Sequence, residues 1–260
     1  MQLSPELLFK PNRLEQSAWT GHIPFAAYLI KVAQPQLLVE LGSYLGNSYF
    51  AMCQAVTEQK LMTRCYAVDT WQGDLHTGFY QDAIYKSVSE YNHQYDSFST
   101  LIRSTFDDAV SSFADASIDL LHIDGLHTYE AVKHDFNTWK PKLSKRAIVL
   151  LHDTEVREKD FGVYQLWAEL QSDYPTFSFT HSHGLGVLFY GSDASKTIKN
   201  TLLESASIEI ALTRDYFTYL GELLETKARN IYLEKALASA LQWQKRPWYL
   251  RAFNRWKRPA

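Results

Sequence analysis

Seven short apolar runs alternate along the chain with segments of helical apolar spacing, and this alternation limits the fold most. The runs are QLLVELG (36–42), RCYAVDT (64–70), TLIRST (100–105), IDLLHIDG (118–125), RAIVLLHD (146–153), FSFTHS (177–182) and GVLFYG (186–191). Continuous apolar runs are typical of parallel strands that helices cover on both faces. Strands that alternate with helices therefore predict an α/β fold with a Rossmann-like, doubly wound sheet.

The segments between the runs predict the helices. Helical apolar spacing is found at 47–60, 107–116, 129–143 and 161–174. The long polar and aromatic connection at 71–99 is typical of a binding loop or lid that contains its own short helix. Residues 200–240 repeat apolar positions at helical spacing with Glu and Lys between them, which predicts a packing helix or a self-association element.

Composition excludes several classes of protein. A chain of 260 residues with 46% hydrophobic and 21% charged residues is typical of a globular protein with a sizeable core. The net charge of -3 gives no overall attraction to nucleic acid. Cys53 and Cys65 are far apart, which argues against a disulfide scaffold or a cysteine zinc site and favours the cytoplasm. We expect neither a signal peptide nor a membrane span.

Four of the runs place a carboxylate at or near their carboxyl end. These residues are Glu40, Asp69, Asp124 and Asp153. Because ligands of doubly wound sheets bind at the carboxyl ends of the strands, the pattern predicts that four carboxylates converge on one crevice. For any one of them alone, a solvated strand end or a helix cap is an equal alternative.

The turn after the first run predicts a ligand site. Gly42 and Gly46 allow the backbone to approach a ligand closely, and the free N–H groups of a helix that begins at Asn47 and Ser48 favour an anionic group. Asp69 suits hydrogen bonds from ribose hydroxyls. The strict G-x-G-x-x-G pattern is missing, which weakens an interpretation as an NAD site. The spacing alone does not separate a dinucleotide from a smaller adenosine ligand.

Three stretches resemble a known family. VELGSYLGNS is similar to the first motif of class I S-adenosylmethionine-dependent methyltransferases, in the form found in the catechol O-methyltransferase-like branch. IDLLHIDGLHTYEAVKHDFNTWKPKL and AIVLLHDT resemble the bacterial methyltransferase-24 family, which is similar to the sugar and antibiotic O-methyltransferases. The resemblance implies a seven-stranded sheet whose last strand, GVLFYG, is antiparallel. It also implies a methyltransferase domain at 1–192, with a helical cover at 1–35, and a C-terminal helical extension at 193–260.

By position, the resemblance implies a site for S-adenosylmethionine. The first motif would surround the methionine end, Asp69 would hold the ribose, and the STFDD turn would flank the adenine. The cofactor-binding residues expected on this basis are Glu40, Gly42, Tyr44, Gly46, Ser48, Asp69, Ser104, Phe106, Asp107 and Asp124.

The same relatives imply a metal and a base. Asp124, His152 and Asp153 match the metal ligands, but magnesium rarely accepts imidazole. Three options stay open: a metal held by Asp124 and Asp153 with water, a softer ion such as manganese, or no metal. His127, three residues after Asp124, takes the position of the base, and an imidazole pKa of about 6.5 suits proton removal. We expect His127, Asp124 and Asp153 to be catalytic, whereas strand alternation favours a structural role for His122.

The expected activity is methyl transfer from S-adenosylmethionine to a hydroxyl, with His127 as general base. The family resemblance favours a sugar hydroxyl of a bacterial polysaccharide or glycolipid precursor. A small-molecule O-methyltransferase for phenolic or antibiotic scaffolds is the first alternative. A non-catalytic cofactor-binding scaffold at a membrane complex is the second. An NAD-dependent oxidoreductase is disfavoured by the glycine spacing.

The last stretch, 242–260, carries six basic residues, no acidic ones and interleaved aromatic residues. As a helix it could lie on an anionic membrane surface at the inner face of the plasma membrane. It could also stack on nucleic-acid bases, or dock on its own domain or on a partner. We expect no nucleic-acid partner, and a homo-oligomer is one expected state of the protein.

Overall fold

The computed structural model describes residues 9–74, 78–79, 82–158 and 160–244. Its strands are β1 (Leu37–Leu41), β2 (Arg64–Asp69), β3 (Gly73–Asp74), β4 (Gly78–Phe79), β5 (Ser99–Arg103), β6 (Ile118–Ile123), β7 (Leu143–His152), β8 (Thr176–Phe179) and β9 (Leu185–Phe189). Seven of them form one sheet in the order β5-β2-β1-β6-β7-β9-β8, and β3 pairs with β4. Strands β5, β2, β1, β6 and β7 are parallel, whereas β9 is antiparallel to both neighbours. The predicted sheet and its antiparallel last strand are confirmed.

The helices are α1 (Ile23–Ala33), α2 (Asn47–Glu58), α3 (Ala83–Asn92), α4 (Phe106–Ala109), α5 (Tyr129–Trp139), α6 (Val163–Asp173), α7 (Lys196–Lys199) and α8 (Ser207–Gln244). The helix expected at 107–116 is only the single turn α4 followed by a 3₁₀ turn. The helix expected at 200–240 begins later, because the backbone is extended at Ser205. The helix expected within 71–99 is α3.

The sheet is covered on both faces. Every residue of β1 and β6 is buried, as expected for central parallel strands. One face packs against α1 and α2, and the other packs against α5 and α6. Strand β1 lies between β2 and β6. After β1 the chain adds β2 and β5 on one side, and it then crosses to add β6 and β7 on the other side. This is the switch point at which doubly wound sheets open a crevice.

Helix α8 lies across the 3₁₀ turn Ala18–His22. The helices touch at two glycines: a Cβ atom on Gly221 would lie 2.2 Å from the carbonyl oxygen of Gly21. Within the part of the chain that the structure describes, no helix has the length and apolar character needed to cross a membrane. Most of the predicted membrane-binding stretch, from residue 245 onward, lies outside the described residues, so that prediction stays untested.

Candidate active site

A cavity of about 1000 Å³ opens at the carboxyl ends of β1, β2, β6 and β7. Its walls come from the loops after these strands and from residues Gln16–Trp19 before α1. Such a volume lies at the upper end of the range for small-molecule sites. Of the four strand-end carboxylates, three line the cavity: Asp69, Asp124 and Asp153.

The turn between β1 and α2 forms one wall. Gly42 has a φ of 85°, and a Cβ atom there would lie 2.0 Å from the carbonyl oxygen of Asp124. A side chain at position 42 would clash with the backbone just after β6. Glycine is therefore required here by this contact as well as by the close approach of a ligand. Gly46, with a φ of 74°, precedes the first residue of α2, Asn47. The first N–H groups of α2 have no partner within the helix, and its first two residues, Asn47 and Ser48, line the cavity.

Asp69 is fixed by backbone donors from this turn. Its Oδ2 accepts hydrogen bonds from the N–H groups of Ser43 and Tyr44, both at 2.9 Å. Its Oδ1 accepts from the N–H of Trp71 at 2.7 Å. A carboxylate offers about four acceptor positions, so one position on Oδ1 remains for a hydroxyl in the cavity.

The opposite wall is a cluster of two carboxylates and three imidazoles, which we call the open cluster: Asp124, His127, His152, Asp153 and His183. His127 Nε2 lies 2.9 Å from Asp153 Oδ2 and 3.5 Å from Asp124 Oδ1. His152 Nδ1 lies 3.3 Å from Asp124 Oδ1 and 3.4 Å from Asp153 Oδ2. His183 Nδ1 lies 3.1 Å from Asp153 Oδ1. All five residues line the cavity.

The ring of His152 is oriented by a backbone carbonyl group on the side away from the carboxylates. Its Nε2 lies 3.1 Å from the carbonyl oxygen of Ser182, so Nε2 carries a proton and donates it. In the neutral ring, the lone pair is then on Nδ1 and faces both carboxylates. Asp124, His152 and Asp153 each offer a ligand atom, and these atoms lie within 4.8 Å of one another. A carbonyl that fixes the tautomer in this way is a common support for metal-binding histidines.

Charge in the open cluster is balanced internally. Burial alone would lower the pKa of His127, but hydrogen bonds to Asp124 and Asp153 raise it to about 9. Burial likewise opposes the charge on His152, yet the Asp124 carboxylate raises its pKa to about 10. Burial would raise the pKa of Asp153, but hydrogen bonds from His127 and the other imidazoles hold it well below its usual range. Without a metal, two protonated imidazoles therefore compensate two carboxylates.

The structure corrects the prediction for Glu40. This side chain is completely buried and does not line the cavity. Its Oε2 lies 2.8 Å from Nδ1 of His122, whose Nε2 accepts a hydrogen bond from the indole N–H of Trp19 at 3.0 Å. We call these three residues the sealed group. Glu40 faces inward because it lies within β1 rather than after it. His122 has the structural environment that strand alternation favoured.

The other expected cofactor residues divide into two sets. Those that line the cavity are Gly42, Tyr44, Ser48, Asp69, Phe106 and Asp124. Gly46, Ser104 and Asp107 are not among the lining residues, so direct cofactor contact by these three is not supported. Gly46 instead shapes the turn into α2, and the exposed Asp107 side chain lies 2.7 Å from Nε2 of His134.

Sequence reasoning missed several lining residues. Trp19 reaches the cavity from before α1, and Phe161 stacks on His127 with ring centroids 4.7 Å apart. Asp135 is buried in the wall, and burial raises the pKa of its carboxyl to about 7. A signal for Asp135 was present, because it follows Val132 at helical spacing on the apolar face of α5. The contacts of Trp19 and Phe161 have no comparable local signal.

Comparison with known proteins agrees with this geometry. Residues 39–154 match the family model of methyltransferase-24, which is described as a methyltransferase domain. This stretch is thus similar to the methyltransferase domains of that family. The match covers β1 through the end of β7, and thus the glycine turn and most of the open cluster. The recognition made from the sequence motifs is confirmed.

One relative covers nearly the whole chain. The uncharacterized protein y4gI of Sinorhizobium fredii (strain NBRC 101917 / NGR234) is 47% identical over 243 residues, which are 92% of this chain and 26% of that protein. The chain thus spans about a quarter of the length of the curated relative it matches. The similarity extends beyond the family match into α8.

Solved structures show the same fold at low identity. A candidate caffeoyl-CoA O-methyltransferase from Staphylococcus aureus superimposes with a TM-score of 0.51 and 14% identity, covering 65% of this chain and 82% of that one. The Podospora anserina methyltransferase PaMTH1, solved with SAH bound, gives a TM-score of 0.50 and 14% identity, covering 64% of this chain and 76% of that one. At this identity the likeness concerns the fold alone.

Proposed function

We propose that this methyltransferase domain transfers a methyl group from S-adenosylmethionine to a hydroxyl of an acceptor molecule. One observation carries the proposal: a single cavity joins a nucleoside-type wall, built by the glycine turn and Asp69, to a wall of carboxylates and imidazoles. The first wall suits a methyl donor, and the second suits the removal of a proton from an acceptor.

The donor wall fits the parts of S-adenosylmethionine one by one. The amino end of α2, near Ser48, favours the carboxylate of the methionine part. The remaining acceptor position of Asp69 suits a ribose hydroxyl, and Phe106 offers an apolar face for the adenine. When bound, S-adenosylmethionine would supply an electrophilic methyl group for the acceptor oxygen, and its sulfur would retain the electron pair of the broken carbon–sulfur bond.

The acceptor wall fits a divalent cation. Asp124, Asp153 and Nδ1 of His152 form a donor set of two carboxylates and one imidazole. This mixed set favours manganese or another ion softer than magnesium. Two protonated imidazoles and one divalent cation carry the same charge, so a cation can replace the two protons. It would supply the charge that lowers the pKa of an acceptor hydroxyl.

Within this wall, His127 is the proposed general base. Its Nε2 faces Asp124 and Asp153, and its ring is held against Phe161. The carboxylates of Asp124 and Asp153 favour the protonated form of His127. The ring can therefore accept a proton from the acceptor only when other positive charges balance these two carboxylates. Its proposed role therefore depends on the state of the same open cluster.

The proposed acceptor is a sugar hydroxyl of a polysaccharide or glycolipid precursor. Support comes from the family resemblance and from the rim of the cavity, which offers hydrogen-bonding side chains: Gln16, Ser17, Thr128, Glu130 and His134. Sugars need many such partners. Phenolic or antibiotic acceptors are the alternative, and incubation with labelled S-adenosylmethionine and separate glycan and small-molecule fractions would distinguish the two by which product carries label.

Donor binding is tested separately by calorimetry. Asp69→Ala should weaken S-adenosylmethionine binding about 10- to 100-fold, because it removes the ribose acceptor and releases the turn. The matched control is Asp115→Ala, which removes an exposed carboxylate paired with Lys142. Unchanged affinity in Asp69→Ala would refute the donor site. Tight binding with no labelled product in any fraction would instead favour a non-catalytic cofactor-binding scaffold.

A further inference from the structure

Helix α8 has two faces of different character. Its inner face packs on the domain through buried side chains that include Thr213, Phe217, Leu220 and Ala228. Its opposite face carries large apolar side chains in solvent: Leu212 is 60% exposed, Tyr219 61% and Leu237 60%. Single exposed apolar residues are ordinary, but a continuous row along one helix face is typical of a surface that another helix covers.

The exposed row has a regular spacing. We define the outer stripe as the residues that follow one another at alternate steps of four and three: Leu212, Tyr216, Tyr219, Leu223, Thr226, Asn230, Leu233, Leu237 and Ala240. Eight of them are exposed, and Tyr216 is half-buried against the domain core. This is the seven-residue repeat of a coiled coil, continued over about four repeats. On a straight α-helix such a repeat drifts by about 20° per seven residues, which favours a left-handed supercoil with a second helix.

The far part of α8 has little support from its own domain. From Arg229 to Gln242 every residue is exposed except Ile231, which is half-buried. This part is about 14 residues, or roughly 21 Å of helix. Isolated helices of such length are marginal in water, and this one exposes Leu233, Leu237 and Leu241. A partner along the outer stripe would stabilise it.

We propose that the partner is a second copy of this chain, and that two α8 helices form a parallel, in-register coiled coil along the outer stripe. Charges beside the stripe support this occupant. In a parallel pair, the residue just before Leu223 or Asn230 of the stripe faces the residue that lies five positions further along the partner helix. Glu222 then faces Lys227, and Arg229 faces Glu234, in both directions across the two-fold axis. All four side chains are exposed in the single chain.

Asn230 supports the same register. It occupies a core position in the middle of the outer stripe and is exposed. In a parallel dimer two copies of Asn230 meet, and their amides can hydrogen-bond to each other. A single core asparagine fixes register and favours two strands at some cost in stability.

The domain leaves room for this partner. Phe217, Gly221 and Ala228 hold the domain on the face of α8 that is opposite to the outer stripe. Two domains in a parallel pair therefore lie on opposite outer sides of the coiled coil. The part of the stripe from Asn230 onward is exposed in the single chain, so a second copy can reach it without displacing the domain.

Oligomeric state tests the proposal on the full chain. Sedimentation velocity at about 50 µM should show a dimer for the parent chain. The double substitution L233E/L237E should give a monomer, with dimerisation weakened at least 100-fold. The matched control A238E/S239E adds the same charge to two exposed neighbours off the stripe and should stay dimeric. A monomeric parent, a larger oligomer, or a dimeric L233E/L237E would overturn the proposal.

Disulfide trapping tests the parallel register. Ala240→Cys places a thiol at a core position near the far end of the stripe, and it should form a disulfide-linked dimer on mild oxidation. Ser239→Cys, one residue away and off the stripe, should link at least tenfold less. Cys53 and Cys65 are buried and give no background. Equal linking of the two variants would overturn the parallel arrangement, as would linking of neither.

Discussion

Two carboxylate–imidazole groups lie at neighbouring strands of the same sheet, and only one of them presents its carboxylates and imidazoles to the cavity. The sealed group joins Glu40 on β1 to His122 on β6 beneath Trp19. The open cluster joins Asp124 and Asp153, just after β6 and β7, to imidazoles that line the cavity. The side-chain types are alike, so position relative to the strand end decides the role. In these two groups, the carboxylate inside its strand supports the fold, and the two carboxylates just after their strands line the cavity.

The sealed group should carry the largest effect on stability. His122→Ala leaves the Glu40 carboxylate buried without its partner, and removal of one member of a buried pair costs about 3–5 kcal/mol. The free energy of unfolding, measured with urea at pH 7, should fall by that amount. Glu40→Gln is the milder comparison, because its amide oxygen can still accept from His122. A loss below about 1 kcal/mol in His122→Ala would mean that the sealed group does not support the fold.

The open cluster should show the reverse pattern. His127→Ala should lower turnover about 10²- to 10⁴-fold, as expected for loss of a general base. Its free energy of unfolding should change much less than in His122→Ala, because His127 lies at the cavity surface. His93→Ala, which removes an exposed imidazole paired with Asp96, is the matched control and should keep full turnover. Near-normal turnover of His127→Ala across pH 6–9 would remove the base role.

Asp135 sharpens the comparison, since its carboxyl is buried outside both groups. Burial raises its pKa to about 7, so ionisation of Asp135 destabilises the folded state as pH rises from about 4 to 7. Asp135→Asn removes this cost. Its gain in free energy of unfolding over the parent should be near zero at pH 4, grow to roughly 2–4 kcal/mol by pH 7 and then level off. Parallel pH profiles for the two proteins would contradict the buried-acid assignment.

Sequence reasoning was strongest where a signal is local. Apolar runs and their carboxylate ends predicted the doubly wound sheet and the convergence of Asp69, Asp124 and Asp153 on one cavity. It failed for Glu40, because its partner His122 is 82 residues away and the capping Trp19 lies before α1. Whether a residue lies inside a strand or just after it is a difference of one or two positions, which apolar runs do not resolve.

Ser182 connects helix α8 to the candidate active site through two hydrogen bonds. Its hydroxyl donates to Glu225 of α8 at 2.5 Å, while its carbonyl oxygen accepts from Nε2 of His152 at 3.1 Å. A single residue thus transmits the position of α8 to the ring that faces Asp124 and Asp153. If α8 supercoils against a partner, we expect the resulting rotation of the helix to change the tilt of the His152 ring.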